Sequence, residues 1–329
     1  MMVNKEWIDK GCIDEPVEQG LNLKQEIRRM CKEKDAIILA HYYTVGEIQE
    51  IADFVGDSLA LARKAAETDA RMMVMCGVHF MAETCKLLSP DKVVLCPDLT
   101  AGCSLADSCK ADDLQRYKEE HPGYKVVSYG NTTAAVKALT DCVVTSGNAK
   151  KVIDSFPKDE KIFFGPDYNL GNYINSVTGR HMLLWNGGCH VHEKFSVAGI
   201  VQLKDEHPEA VVMAHLECKA PVLALADVKG STATMLHYAQ QSDSKEFIVA
   251  TEAGILHELE RTCPDKRFYP VPPEMSEGVG CSCNECEYMK KNTLAKIYNT
   301  LKYGWPSVEI DQAIAREAVK PIEKMLSLS

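Results

Sequence analysis

The sequence has no apolar run approaching the roughly 18–20 residues that span a bilayer, so no membrane span is expected. Its opening stretch, MMVNKEWIDKGCIDEPVEQG, lacks the basic-then-apolar order of a secretory signal. A cytoplasmic location is therefore expected. No basic block occurs either, and 37 Lys and Arg against 47 Asp and Glu leave a net charge of −10. A chain of this sign is a poor partner for nucleic acid. It also has no global field to draw in anions, so local backbone N–H groups would have to bind them. Low-complexity and linker-like stretches are missing. With 46% hydrophobic and 26% charged residues, 20 Gly and 14 Pro, the composition excludes disorder, collagen and coiled coil. Cysteine, at 14 in 329 residues, is too sparse for a disulfide scaffold, in which it exceeds ~8–10%. In a reducing compartment such thiols point to metal, redox or catalytic use, or to core packing.

The chain is too long for one ordinary core, which suggests two or three domains. Self-similarity shows how it divides. Three segments share one plan: AIILAHYY from Ala36, YKVVSYGN from Tyr124 and AVVMAHLE from Ala210. Seventeen positions separate His41 from Ser58, Tyr129 from Ser146, and His215 from Thr232. Each segment opens with a β-branched apolar run, read as a buried parallel strand. A helical stretch follows (45–54, 133–139, 221–226), then a second strand ending near the Ser or Thr. Further strands are expected at 72–75, 162–164 and 247–249, and again at 92–96, 181–185 and 267–271. This alternation predicts an α/β fold with helices on both faces of each sheet. The polar signatures His41/Tyr43, Tyr129/Asn131 and His215/Glu217 sit just past strands, where open α/β sheets bind ligands. Three such ends facing one another would make a single site. The tail 306–326 reads as an amphipathic helix that Pro321 would kink.

Each repeat also ends near a cysteine in a glycine-containing loop: Cys103 in AGCS, Cys189 in GGCH, and Cys286 in GCSCNEC. One thiolate per repeat suits an iron–sulfur cube better than structural zinc, which wants four ligands. Three thiolates leave one iron of a [4Fe–4S] cluster open as a Lewis acid. Burial in the core is the competing reading, and the favoured one for Cys76, Cys85, Cys96 and Cys142. Spacing alone leaves Cys281, Cys283 and Cys286 open as the third ligand. Ser58, Ser146, Ser231 and Thr232 lie beside Gly56, Gly147 and Gly230, and suit either anion binding or N-capping. KGST at 229–232 lacks the P-loop spacing, which disfavours nucleotide binding. His41, Tyr43, His215 and Glu217 offer acid–base groups. His190 and His192 beside Cys189 resemble zinc ligands but have no obvious fourth partner.

Taken together, these residues resemble the quinolinate synthase family, iron–sulfur enzymes of de novo NAD biosynthesis. The likeness runs from Ala36 to about Asn292 through AHYYT, GDS, CGVHFMAE, AGCSLAD, SYGNT, GGCHVHE, AHLEC, KGST and CxxCxYM. It implies three pseudo-repeated three-layer αβα domains with short parallel sheets around a pseudo-threefold axis. The corresponding divisions are a helical leader 1–35, repeats 36–118, 119–204 and 205–300, and a C-terminal helix 301–329. By motif the cluster ligands are Cys103, Cys189 and Cys286. Many relatives carry CxxCxxC where this chain has CxCxxC, so no redox role is carried over to Cys281 and Cys283. The implied reaction is a C–C-forming transferase step with dehydration, condensing iminoaspartate with dihydroxyacetone phosphate to quinolinate, phosphate and two waters. Ser58, Ser146, Ser231 and Thr232 would bind the anionic groups, Asn131 would orient them, and Tyr129 and His190 would contact substrate. His41, Tyr43, His215 and Glu217 would move protons. An L-aspartate oxidase is the expected supplier, because the imine hydrolyses. Two alternatives differ in kind: a diphthamide-forming [4Fe–4S] radical enzyme, which would cleave S-adenosylmethionine, and a zinc or redox binding module built on CxCxxC. SYGNT, AHLEC and AHYYT favour the quinolinate enzyme.

Overall fold

In the computed structural model, which describes residues 4–274 and 284–329, the apolar runs form three sheets. The first contains β1 (Ala36–His41), β2 (Phe54–Gly56), β3 (Met72–Cys76) and β4 (Val93–Leu95). The second contains β5 (Lys125–Tyr129), β6 (Cys142–Val144), β7 (Ile162–Gly165) and β8 (Leu183–Leu184). The third contains β9 (Val211–His215), β10 (Val228–Gly230), β11 (Glu246–Ala250) and β12 (Arg267–Pro270). Every pairing is parallel, and each sheet has its second strand outermost, then the first, third and fourth. The expected strand at 181–185 shrinks to two residues.

Parallel strands need cover on both faces because their side chains alternate between two cores. In the first sheet Leu39, Met73 and Met75 pack with Leu61 and Met81, from the helices Ser58–Glu67 and His79–Leu88. Ile38, Ala40, Val74 and Cys76 pack instead with Ile27 of the helix Leu23–Lys34 and Ile297 of Leu294–Tyr303. The third sheet divides likewise, with Met213, Phe247 and Val249 in one core and Val212, Ile248 and Ala250 in another. This is the three-layer αβα arrangement expected for each repeat.

One carboxylate recurs in all three units. Asp53, Asp141 and Asp227 accept the backbone N–H of Ile38, Val126 and Val212 at 2.7, 2.8 and 2.8 Å. Each returns its own N–H to the same residue's carbonyl at 2.9 Å. The second strand is thereby seated in one register three times: His41 beside Gly56, Tyr129 beside Val144, His215 beside Gly230.

The tail departs from expectation at its start. Residues around Pro306 run along β4, with the Cys96 N–H donating to the Pro306 carbonyl (3.1 Å) and the Val308 N–H to the Val94 carbonyl (2.8 Å). The helix begins at Gln312, capped by Asp311, and continues to Leu328 through Pro321, which lacks an N–H to donate. Its Ala318, Ile322 and Met325 join Leu87 of the first unit to Ala134 and Val143 of the second. Among the described residues no helix is long and apolar enough to cross a membrane.

Candidate active site at the strand ends

The first strand of each sheet ends on a site residue: β1 on His41, β5 on Tyr129, β9 on His215. Two residues on stand Tyr43, Asn131 and Glu217. All six line one cavity. Its position follows from the strand order, since the chain leaves the first strand to one side and returns for the third on the other. Ser58, Ser146, Thr232, His190, Cys103, Cys189 and Cys286 line the same cavity.

Ser231 does not. It caps the helix Thr232–Gln241, its Oγ accepting the Thr234 N–H at 3.2 Å. Asp57 holds the matching place in the first unit, accepting the Ala60 N–H at 2.9 Å. Capping therefore accounts for Ser231, while Ser58 and Thr232 are first helical residues on the cavity wall. Ser146 stands in the turn before the helix Ala149–Asp154, where Asn148 Oδ1 accepts the Thr145 N–H at 2.7 Å.

Glu217 is the electrostatic centre. The Tyr129 hydroxyl donates to its Oε1, and His192 Nδ1 lies 2.9 Å from its Oε2. Burial opposes its ionisation, but His192, His215 and the Tyr129 hydroxyl outweigh that and hold it well below the usual carboxylate range. Burial pushes His41 down to about 3 and His215 down to about 4, so both rings are neutral. Each Nδ1 accepts the backbone N–H two residues on, from Tyr43 at 3.1 Å and Glu217 at 3.3 Å. The ring proton then belongs on Nε2, which makes both histidines hydrogen-bond donors. Tyr43 meets Thr251 Oγ1 at 2.7 Å, and Thr251 meets His192 Nε2 at 2.9 Å. Burial also keeps the Tyr43 phenol protonated, its pKa well above the usual value.

Exposure sorts the described cysteines. Nine are buried, and Cys103, Cys189 and Cys286 are only partly so. Burial pushes their thiols up, Cys103 to about 12 and Cys286 to about 11. Opposing it in each case are the backbone N–H groups two and three residues on: Leu105 and Ala106, Val191 and His192, Tyr288 and Met289. Hydrogen bonds of this kind to sulfur tune iron–sulfur centres, so three like cradles on one cavity fit such a group. Cys281 and Cys283 lie outside the described residues. A Cβ on Gly187 would sit 2.5 Å from the Pro166 carbonyl, so the loop needs glycine to pack on its own scaffold.

Two wall residues, Asp57 and Glu252, carry no role in the sequence reading, nor does Thr251 beside them, and His192 is read there only as a zinc-ligand candidate. His192 is 2% exposed and lies 3.1 Å from Cys189 Sγ, on the short 3-10 turn His192–Lys194. Its place three residues after Cys189, where the N–H also faces that sulfur, was the available signal. Glu252 Oε1 accepts the Cys286 N–H at 2.9 Å and pairs with Lys290 at 2.8 Å, and Lys290 also donates to the Tyr43 carbonyl at 2.8 Å. No local pattern announces that contact.

Residues 25–327 match the family model described as "Quinolinate synthetase A protein". Among curated relatives, the quinolinate synthase of Rippkaea orientalis is 51% identical over 303 residues, 92% of each chain. Those of Synechocystis sp. (49%, covering 92% of this chain and 94% of that one) and Chloroherpeton thalassium (50%, covering 94% and 95%) are similar. The chain belongs to the quinolinate synthetase A family.

Proposed function

Starting from membership of that family, we propose that this protein is a quinolinate synthase. It would condense iminoaspartate with dihydroxyacetone phosphate, forming quinolinate and releasing phosphate and two waters. The observation that carries the reading is the trio of cavity-facing thiols, each with two backbone N–H groups behind it. A [4Fe–4S] cluster held by Cys103, Cys189 and Cys286 would supply a Lewis-acidic iron without a protein ligand.

The chain's own groups divide the remaining work. Ser58, Ser146 and Thr232 bind carboxylate and phosphate oxygens, and Asn131 orients them. Neutral His41 and His215 donate from Nε2 to oxygens that gain charge. Ionised Glu217 offers a fixed hydrogen-bond acceptor and negative charge to the reacting groups, with Tyr129 and His192 holding its two oxygens in place. The Tyr43 phenol, bonded to Thr251, carries a proton to or from the reacting carbon skeleton. His190 Nε2 is buried without a hydrogen-bond partner among the described residues and is available to substrate.

One observation favours a second reading. Donor atoms of Cys189, His192 and Glu217 lie within 4.8 Å of one another, a set that would suit a single zinc ion. Anaerobic purification with metal and sulfide analysis separates the two. Iron and sulfide in equal amounts, with quinolinate formed from the two substrates, support the proposal. One zinc per chain without sulfide overturns it.

A further inference from the structure

Among the described residues the cavity wall has no Lys or Arg, yet it carries Asp57, Glu217 and Glu252. A dicarboxylate and a phosphate would enter a site whose visible charge is negative. Lys290 answers Glu252 at 2.8 Å, and a second cation lies one layer behind the wall. Lys137, at the end of the helix Ala134–Lys137, is the buried lysine among the described residues, with 0% exposure. It lies in a smaller recess that shares Ser58, Phe80, Met81 and Thr145 with the cavity wall.

Its ammonium donates to the Gly130 carbonyl at 2.9 Å and to the Thr132 carbonyl, the two groups that flank Asn131. The Phe80 ring centre is 5.4 Å away. The repeat supplies a control. In the first unit Gln49 donates to the carbonyls of Tyr42 and Thr44, which flank Tyr43, at 2.9 and 2.8 Å. Both donors stand seven and five residues after the carbonyls they hold. A neutral amide therefore suffices for the grip, and the charge at position 137 needs another reason. Burying an ammonium among carbonyls and a ring is costly unless something offsets it. The nearby Glu83 carboxylate is committed to the Ala134 N–H at 3.0 Å. Burial pushes Lys137 down to about 8, with Glu83 opposing, so it remains charged at neutral pH.

We infer that Lys137 is a positioning residue that holds Asn131 and places a fixed positive charge behind the anion-binding wall, favouring phosphorylated or carboxylated substrates. This rests on the proposed reading of the cavity as an anion site.

The test is equilibrium binding of inorganic phosphate to the anaerobically purified holoenzyme. Lys137→Gln keeps the grip, as Gln49 shows, and removes the charge. Its phosphate dissociation constant is expected to rise about tenfold as a second-layer charge is lost, with thermal midpoint little changed. Under a purely structural role glutamine would restore full affinity, so a constant within twofold of the parent overturns the inference. Glu83→Gln provides the opposite arm and still offers an oxygen to the Ala134 N–H. It removes a counter-charge and should tighten phosphate binding severalfold; unchanged or weaker binding overturns the inference even if the Lys137 variant fails to fold. Binding is read without turnover, so failure to form quinolinate would sink the proposed function and leave this measurement standing.

Discussion

Burial by itself distinguishes the three cavity thiols from the other described cysteines. Serine at position 103, 189 or 286 is expected to abolish quinolinate formation and the brown colour of the anaerobic protein. Alanine at Cys85, which sits 3.8 Å from Met75 Sδ in a core, should leave the iron content unchanged. Glu252 acts one shell out, through the Cys286 N–H and Lys290. Glu252→Gln should speed iron loss to a chelator by about tenfold, the lower end for such supporting groups, and an unchanged rate would contradict the assignment. The two neutral histidines give a pH dependence whose sign is fixed. Folded, they titrate at about 3 and about 4, whereas unfolded they take up protons near 6.5. Between about pH 4 and 6.5 the unfolded chain binds more protons, so stability is lost as pH falls, at about 1.4 kcal/mol per unit per group. Urea midpoints of the metal-free chain at pH 7 and pH 5 measure this, and His41→Gln should flatten the difference.

Among the elements, the three aspartates that close each first crossover carry the repeat. Asp227→Ala leaves the Val212 N–H in a sheet interior without its partner, and should cost about 1–3 kcal/mol. The N-cap Asp57 has a more local task, because it sets the first turn in which Ser58 meets the cavity. Asp57→Ala should cost about 1 kcal/mol in thermal stability and raise KM for the proposed phosphorylated substrate more than it lowers kcat. The strands were legible because buried parallel strands are continuous apolar runs, as at Ile38–Ala40 and Val212–Ala214. The three aspartates recur at the repeat's own offsets, yet a carboxylate at a strand edge reads as surface until its N–H partner is placed.

At the level of the whole molecule, the C-terminal helix joins two units. Ala318, Ile322 and Met325 are buried between elements of the first and second sheets. Met325→Asp would place a charge there. It is expected to lower the thermal midpoint by several degrees and to weaken substrate binding, since the same residue lines the recess behind the cavity. Unaltered melting would mean that the helix contributes little to the joint.

The amino-acid order alone established the threefold repeat, the strand sequence, one cysteine per repeat and a polar pair after each leading strand. These are local patterns of hydrophobicity and spacing, written wherever an element must bury one face and expose an end. Convergence was decided only in three dimensions. His192 facing Glu217, Thr251 bridging Tyr43 and His192, and Glu252 holding the Cys286 loop all join residues from different units or loops. Ser231 shows the converse, a residue with the right pattern drawn into capping its own helix. Whether a polar side chain meets substrate, backbone or another side chain depends on which atoms packing brings within about 3 Å, and no spacing along the chain encodes that.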